Sequence, residues 1–143
     1  MTSPGHCEWK FGWDEDDSAT LHSVVRTASV LYVRGLLSTK ASSVRHVDID
    51  HSYWRARCYR VLSEALPDNN VLESLRICEN GVDANDVWWI AAVLAKNSHL
   101  TSLSLGSKCL NGRACEWLAR GFRSNECLLE LHLSKNQIGA TGA

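Results

Sequence analysis

The chain has 143 residues, the size of one domain. Its 15 basic and 16 acidic side chains leave a formal net charge of −1, which gives neither nucleic acid nor an anionic membrane a bulk electrostatic attraction. No run approaches the roughly 20 apolar residues that span a bilayer. The opening MTSPGHCEWK has neither the basic nor the apolar region of a secretory signal, so a cytoplasmic protein with reduced thiols is expected.

Residues 1–15 read as an irregular N-terminal segment in which Trp9, Phe11 and Trp13 alternate. Residues 16–42 read as a capping region built on one helix from Leu21 to Leu37. Leu21, Val24, Val25, Ala28 and Leu31 form its apolar stripe. Asp16, Asp17 and Ser18 stand where an N-cap and dipole-complementing carboxylates belong. The run Asp14 to Asp17 is a solvated helix start rather than catalytic carboxylates, because a chain-terminal run offers no pocket to separate two pKa values.

From residue 43 onward a 28-residue period governs the chain. Leu72, Leu100 and Leu128 keep this interval, as do Leu75, Leu103 and Leu131, and Ile77, Leu105 and Leu133. A period of this size predicts stacked strand-plus-helix units, here 43–69, 70–97, 98–125 and a truncated 126–143. The first unit is degraded but holds the register, with Val44, Val47 and Ile49 on the strand and Trp54 at the apolar anchor. Tyr59, Leu62, Ser63 and Leu66 fall on its helix face, and Asn69 closes it before the next strand.

In the later units the strand positions Leu75/Ile77, Leu103/Leu105 and Leu131/Leu133 alternate, so each pair shares one buried face. Asn80, Lys108 and Asn136 follow, each two residues before an anchor at Val82, Leu110 or Ile138. Val87, Ile90, Ala91 and Leu94 then take helical spacing, and Cys115, Leu118, Ala119 and Phe122 repeat that face. Asn97 and Asn125 close their units as turn or helix-end residues. The chain stops as the fourth helix should begin. A unit of this kind buries its apolar face only against a neighbour, which predicts a fragment of a longer parent and self-association through the uncapped C-terminal end.

The pattern resembles the ribonuclease-inhibitor-like class of leucine-rich repeats, which runs LxxLxLxxNxIGxxGAxxLAxxLxxN. Leu128, Leu131, Leu133, Asn136, Ile138, Gly139, Gly142 and Ala143 match it at every position reached. The unit at 98–125 departs with Lys108 for Asn, Asn111 and Ala114 for the glycines, and Cys115 for Ala; the unit at 70–97 has Asp83 and Asp86 at the glycine places. The resemblance implies an α/β leucine-rich-repeat solenoid with parallel strands on the concave face and helices outside. It also implies action by protein contact, as in the recognition regions of NOD-like receptors and the activating protein of the Ran GTPase.

Residues opposite the leucines would line the concave face: His46, Ser74, Ser102 and Glu130 in one row, Asp48, Arg76, Ser104 and His132 in the next, and Asp50 at the start of a third. They form either a protein-binding surface or a solvated sheet face, and no aromatic anchor marks a hot spot among them. His46, Asp48 and Asp50 alternate like metal ligands, yet same-face neighbours on a strand stand about 6–7 Å apart and nothing completes a tetrahedral set. No metal is expected there. The cysteines Cys7, Cys58, Cys78, Cys109, Cys115 and Cys127 form no CxxC pair. Trp89 recurs as Trp117, which marks packing between units, whereas Trp88 aligns with Arg60 and Glu116 and is the candidate for contact on the convex helices.

No catalytic set or phosphate loop is present in the sequence. The expectation is a non-enzymatic protein-interaction module without cofactor, part of a larger intracellular receptor or scaffold. An activator of a small GTPase is the alternative and an enzyme inhibitor the weaker one. The partner is a protein, not nucleic acid or membrane.

Overall fold

A strand-and-helix unit with a short apolar strand can hide that strand only by laying a helix over it and a neighbouring unit beside it. The computed structural model shows this arrangement; it describes residues 9–12, 22–26, 34–35, 37–38, 44–50, 56–78, 84–106 and 110–143. The elements in chain order are β1 (Trp9–Gly12), β2 (His22–Arg26), β3 (His46–Asp50), α1 (Ala56–Ala65), β4 (Ser74–Cys78), α2 (Ala84–Leu94), β5 (Ser102–Ser104), α3 (Gly112–Phe122), β6 (Glu130–His132) and α4 (Gly139–Gly142). The six strands form one sheet in sequence order. From β2 to β6 every neighbouring pair is parallel, and β1 closes the first edge antiparallel to β2.

The ladder positions pair with one another. Val47 lies beside Leu75, Leu75 beside Leu103, and Leu103 beside Leu131, while Ile49 lies beside Ile77. All of these except Leu131 are buried, together with Leu72, Leu100 and Leu105. The helices cover that face with Tyr59, Leu62 and Leu66 from α1 and its C-terminal turn, Val87, Ile90, Ala91 and Leu94 from α2, and Ala114 and Leu118 from α3. The core is therefore a single layer between sheet and helices, extended one unit at a time. The degraded first unit belongs to it, since Val44, Val47 and Ile49 are buried, like Leu72, Leu75 and Ile77 in the next unit.

Three expectations are corrected. Residues 22–26 form a strand, not part of a helix over 21–37. The β-branched pair Val24–Val25 suits a strand, and the exposed edge of β3 supplies backbone partners that a helix could not use. Among the described residues of that stretch, helical backbone is present at 34–35 and 37–38, where Leu37 is buried. Residues 9–12, read as irregular, form the edge strand β1, in keeping with the alternation of Trp9 and Phe11. Ala119 is exposed while Ala114 takes the buried place in α3. Ala119 aligns with Ala91, which is buried against Gly121 of the following helix. Several sequence readings lie outside the described residues: the helix start Asp14 to Ser18, Leu21, Ala28 and Leu31, Trp13, the anchors Trp54 and Val82, and Asn80 and Lys108.

The closing asparagines do more than turn the chain. Asn97 is buried, and its Nδ2 donates to the carbonyls of Leu66 (2.6 Å) and Asn69 (3.0 Å) in the preceding unit. Its Oδ1 accepts from the backbone N–H groups of His99 (2.9 Å) and Leu100 (2.7 Å) at the entry to its own following strand. Asn125 repeats the set with Leu94, Asn97, Cys127 and Leu128. Asn69 accepts from Val71 and Leu72 and donates to Leu37 O at 2.8 Å. Leu37 thus supplies the carbonyl that Leu66 and Leu94 supply to the later asparagines. A buried asparagine satisfies polar backbone that the turn would otherwise leave unpaired.

Two glycine-place substitutions also find reasons. Asn111 is the N-cap of α3, its side chain accepting from Ala114 N at 3.2 Å. Buried Asp86 stands in the first turn of α2, where the macrodipole favours a carboxylate. Between helices, Gly121 marks a close approach: a Cβ there would lie 2.7 Å from Ala91 O and 3.0 Å from Ala91 Cα. Alanine is the better helix former by about 1 kcal/mol. Gly121→Ala is nevertheless expected to lower stability by about 1–2 kcal/mol, because the overpacked contact is backbone and cannot rotate away. Urea unfolding checks the sign, and a stabilised variant would contradict the close packing of α2 on α3.

Candidate protein-binding face

The sheet face turned away from the helices is built by the residues between the ladder leucines. Strand pairing sets His46, Ser74, Ser102 and Glu130 side by side in one row, and Asp48, Arg76, Ser104 and His132 in the next. Every predicted member of these two rows is half-buried or exposed, alternating with buried ladder residues in β3, β4 and β5, while β6 is exposed throughout. Adjacent strands stand about 4.8 Å apart, so neighbours within a row can touch. Asp50 ends β3 opposite Cys78; its side chain lies outside the described residues.

Two ion pairs join residues 28 apart on neighbouring strands or at their entries, and a third contact lies within one strand. Arg76 Nη1 donates to Asp48 Oδ2 at 3.0 Å. One column away Arg45 pairs with Glu73, an ion pair of the same spacing. At the far edge His132 Nε2 lies 3.8 Å from Glu130 Oε2. All three pairs are substantially solvent-exposed, so each adds at most about 1 kcal/mol to stability. Their larger consequence is to fix a pattern of alternating sign across strands, with the small serines Ser74, Ser102 and Ser104 between them. Arg45 and Glu73 were not among the residues singled out from the sequence. Their opposite charges exactly one repeat apart are the signal that identifies them.

Of the metal-like trio His46, Asp48 and Asp50, the side chain of Asp50 lies outside the described residues. One oxygen of Asp48 accepts from Arg76, and among the described residues no three His, Cys, Asp or Glu side chains converge on a point that could hold an ion. The side chains of Cys115 and Cys127 are described, both as half-buried free thiols. Burial pushes the Cys115 thiol up, which favours its neutral form, and Cys127 Sγ donates to Ser98 O at 2.9 Å.

On the helix side, Trp89 and Trp117 pack against the core cluster. Arg120 lies over the Trp117 ring at 4.8 Å. Trp88 is 42% exposed and meets Trp89 edge to face, with centroids 4.5 Å apart. The predicted outward position of Trp88 is observed; it stands apart from the polar rows, on the opposite side of the sheet. No helix among the described residues is long and apolar enough to cross a membrane.

Comparison with known proteins adds two distant similarities. Over 108 residues, 75% of its length, the chain is 30% identical to mouse (Mus musculus) NACHT, LRR and PYD domains-containing protein 4B. Over 80 residues, 54% of its length, it is 35% identical to chicken (Gallus gallus) Leiomodin-2. These matches cover 12% and 14% of the two proteins, so the chain spans a small part of the length of either relative. No protein-family model matches.

Proposed function

We propose that the chain is a leucine-rich-repeat solenoid module that binds a protein through the polar sheet face, acting without catalysis or cofactor inside a larger intracellular, cytoplasmic receptor or scaffold. The observation that carries this reading is the register. Three successive strand pairings at one 28-residue offset turn eight scattered residues, His46, Asp48, Ser74, Arg76, Ser102, Ser104, Glu130 and His132, into two continuous rows. Such a face recognises by shape and by the order of its charges, since a repeated backbone presents them at fixed spacing. The similarity to a protein whose name includes LRR supports the same reading.

The Asp48–Arg76 pair makes a clean test available. Exchanging the two charges, Asp48→Arg with Arg76→Asp, keeps an ion pair within the sheet while reversing its direction on the surface. Melting is expected to stay within a few degrees of the parent, as for an exposed pair. Partners captured by the parent chain are expected to be lost by the exchanged one. Retention of the same partners would move the binding site to the helix side, where Trp88→Ala is the matching variant. A captured small GTPase whose GTP hydrolysis rises on adding the chain would make the module a GTPase activator.

A further inference from the structure

The outer side of the helices carries a pattern that is its own complement. α1, α2 and α3 pack side by side in that order. The 28-residue period puts Arg60, Trp88 and Glu116 in one row across them and Glu64, Ala92 and Arg120 in the next, about one helical turn later. Within each helix the two members stand at i and i+4, on one face, and Arg60 Nε lies 3.4 Å from Glu64 Oε1. This face is turned to solvent: Arg60, Glu64, Trp88, Glu116 and Arg120 are exposed and Ala92 is half-buried. In chain direction α1 presents a cation and then an anion, α2 a large side chain and then a small one, and α3 an anion and then a cation. Trp88 is exposed although Trp89 beside it packs on the core, and the edge-to-face contact between them holds the Trp88 indole. Further units stack on the flanks of the helices, so this outer face stays open however many units the array has.

We propose that this face receives a second copy of the chain, with α2 packed antiparallel on α2 about a twofold axis that lies between the two faces at right angles to the helices. That axis exchanges the two rows, so each residue meets the other member of its own i, i+4 pair in the second copy. Arg60 then faces Glu64, Glu116 faces Arg120, and the Trp88 indole covers Ala92, each of these twice. An apolar centre inside a charged rim is the anatomy of a protein interface, and Trp and Arg are the types enriched among its anchors. Parallel packing of α2 on α2 also opposes unlike charges, Arg60 with Glu116 and Glu64 with Arg120. It sets Trp88 against Trp88, however, and leaves Ala92 facing Ala92. The order of large and small therefore selects the antiparallel arrangement, which also brings helix ends of opposite partial charge together. The contact is isologous and closes at two. Charge and size together name the second copy as occupant, because an unrelated surface has no reason to carry all three orders at this spacing. The polar sheet face lies on the other side of each copy and stays open, so the pairing does not depend on that face binding a partner.

The test is sedimentation equilibrium of the full 143-residue chain from micromolar to millimolar concentration. The parent is expected to reach twice its monomer mass of 15.9 kDa. Trp88→Ala is expected to weaken association about thirtyfold or more, as loss of a central aromatic anchor does. Arg60→Glu and Glu64→Arg each bring like charges together at two places and are expected to weaken it about tenfold. The combined exchange, Arg60→Glu with Glu64→Arg, opposes unlike charges again and is expected to restore the dimer. Arg60→Glu with Glu116→Arg opposes like charges at four places and is expected to abolish it. Arg60 and Glu64 are well exposed, so melting of their variants at low concentration is expected to stay within a few degrees of the parent, which separates loss of pairing from loss of fold. A parent that remains monomeric, a mass that grows beyond the dimer, or a Trp88→Ala chain that associates like the parent would each overturn the proposal. Recovery by the exchange with Glu116→Arg in place of the exchange with Glu64→Arg would also overturn it, in favour of parallel packing.

Discussion

Leu103→Asp is expected to abolish cooperative unfolding of the repeats, with a loss of about 4 kcal/mol or more. Leu103 is fully buried at the centre of β5, paired with Leu75 on one side and Leu131 on the other. The substitution removes an apolar side chain worth about 2–5 kcal/mol in a core. It also places a carboxylate where no partner is within reach, an arrangement that ranks among the most destabilising single changes. Stability in stacked repeats resides largely in the interfaces between neighbours, and one residue here serves two of them. The matching control is Leu131→Asp, the same position one unit later, where a neighbour is present on one side and the side chain is 36% exposed. That variant is expected to lose no more than about 1 kcal/mol when measured at low concentration. Thermal melting followed by far-ultraviolet circular dichroism compares the two. Equal melting of Leu103→Asp and the parent would refute the register of the sheet.

The repeat was readable because its signal is redundant. Three apolar positions in three units specify a strand, and the same offset recovers the degraded unit, where Val47, Ile49, Tyr59 and Leu66 are all buried. The polar rows follow from the same arithmetic, since each row member lies one residue from a ladder position. What lay beyond the sequence has one common cause: it depends on neighbours rather than on local pattern. His22–Arg26 carries a helical stripe and two β-branched residues at once, and only the vacant edge of β3 decides between them. Its register against β3 is offset by 24 residues, His22 beside His46, whereas every later pair is offset by 28. No search for the repeat period could therefore include it. Ala119 and Ala91 hold the same place in their units, yet Ala119 is exposed while Ala91 is buried against Gly121 of the following helix. The Asp48–Arg76 and Arg45–Glu73 pairs likewise join residues that are distant in the chain and adjacent in the sheet.

The asparagines give the second large effect. Asn97→Ala is expected to cost about 3–4 kcal/mol, more than any substitution of an exposed residue in the same turn. The side chain closes four hydrogen bonds, two given to Leu66 O and Asn69 O and two accepted from His99 N and Leu100 N. Its truncation leaves these backbone groups in a buried turn, and each unsatisfied group costs about 1–3 kcal/mol before water or local rearrangement recovers part of it. Asn97→Asp separates the two halves of the set: the acceptor bonds to His99 and Leu100 remain possible, while the donor bonds to the preceding unit are lost and carboxylate oxygens face two carbonyls. It is therefore expected to destabilise at least as much as Asn97→Ala, although it is nearly the same size. Asn125 makes the equivalent set but is half-buried, so water can reach the groups its removal exposes. Asn125→Ala is expected to cost about 1–2 kcal/mol. Urea denaturation of the three variants gives the order Asn97→Asp ≥ Asn97→Ala > Asn125→Ala. If Asn97→Ala and Asn125→Ala proved equal and small, the asparagines would be ordinary turn residues, and the units would be held together by their leucines alone.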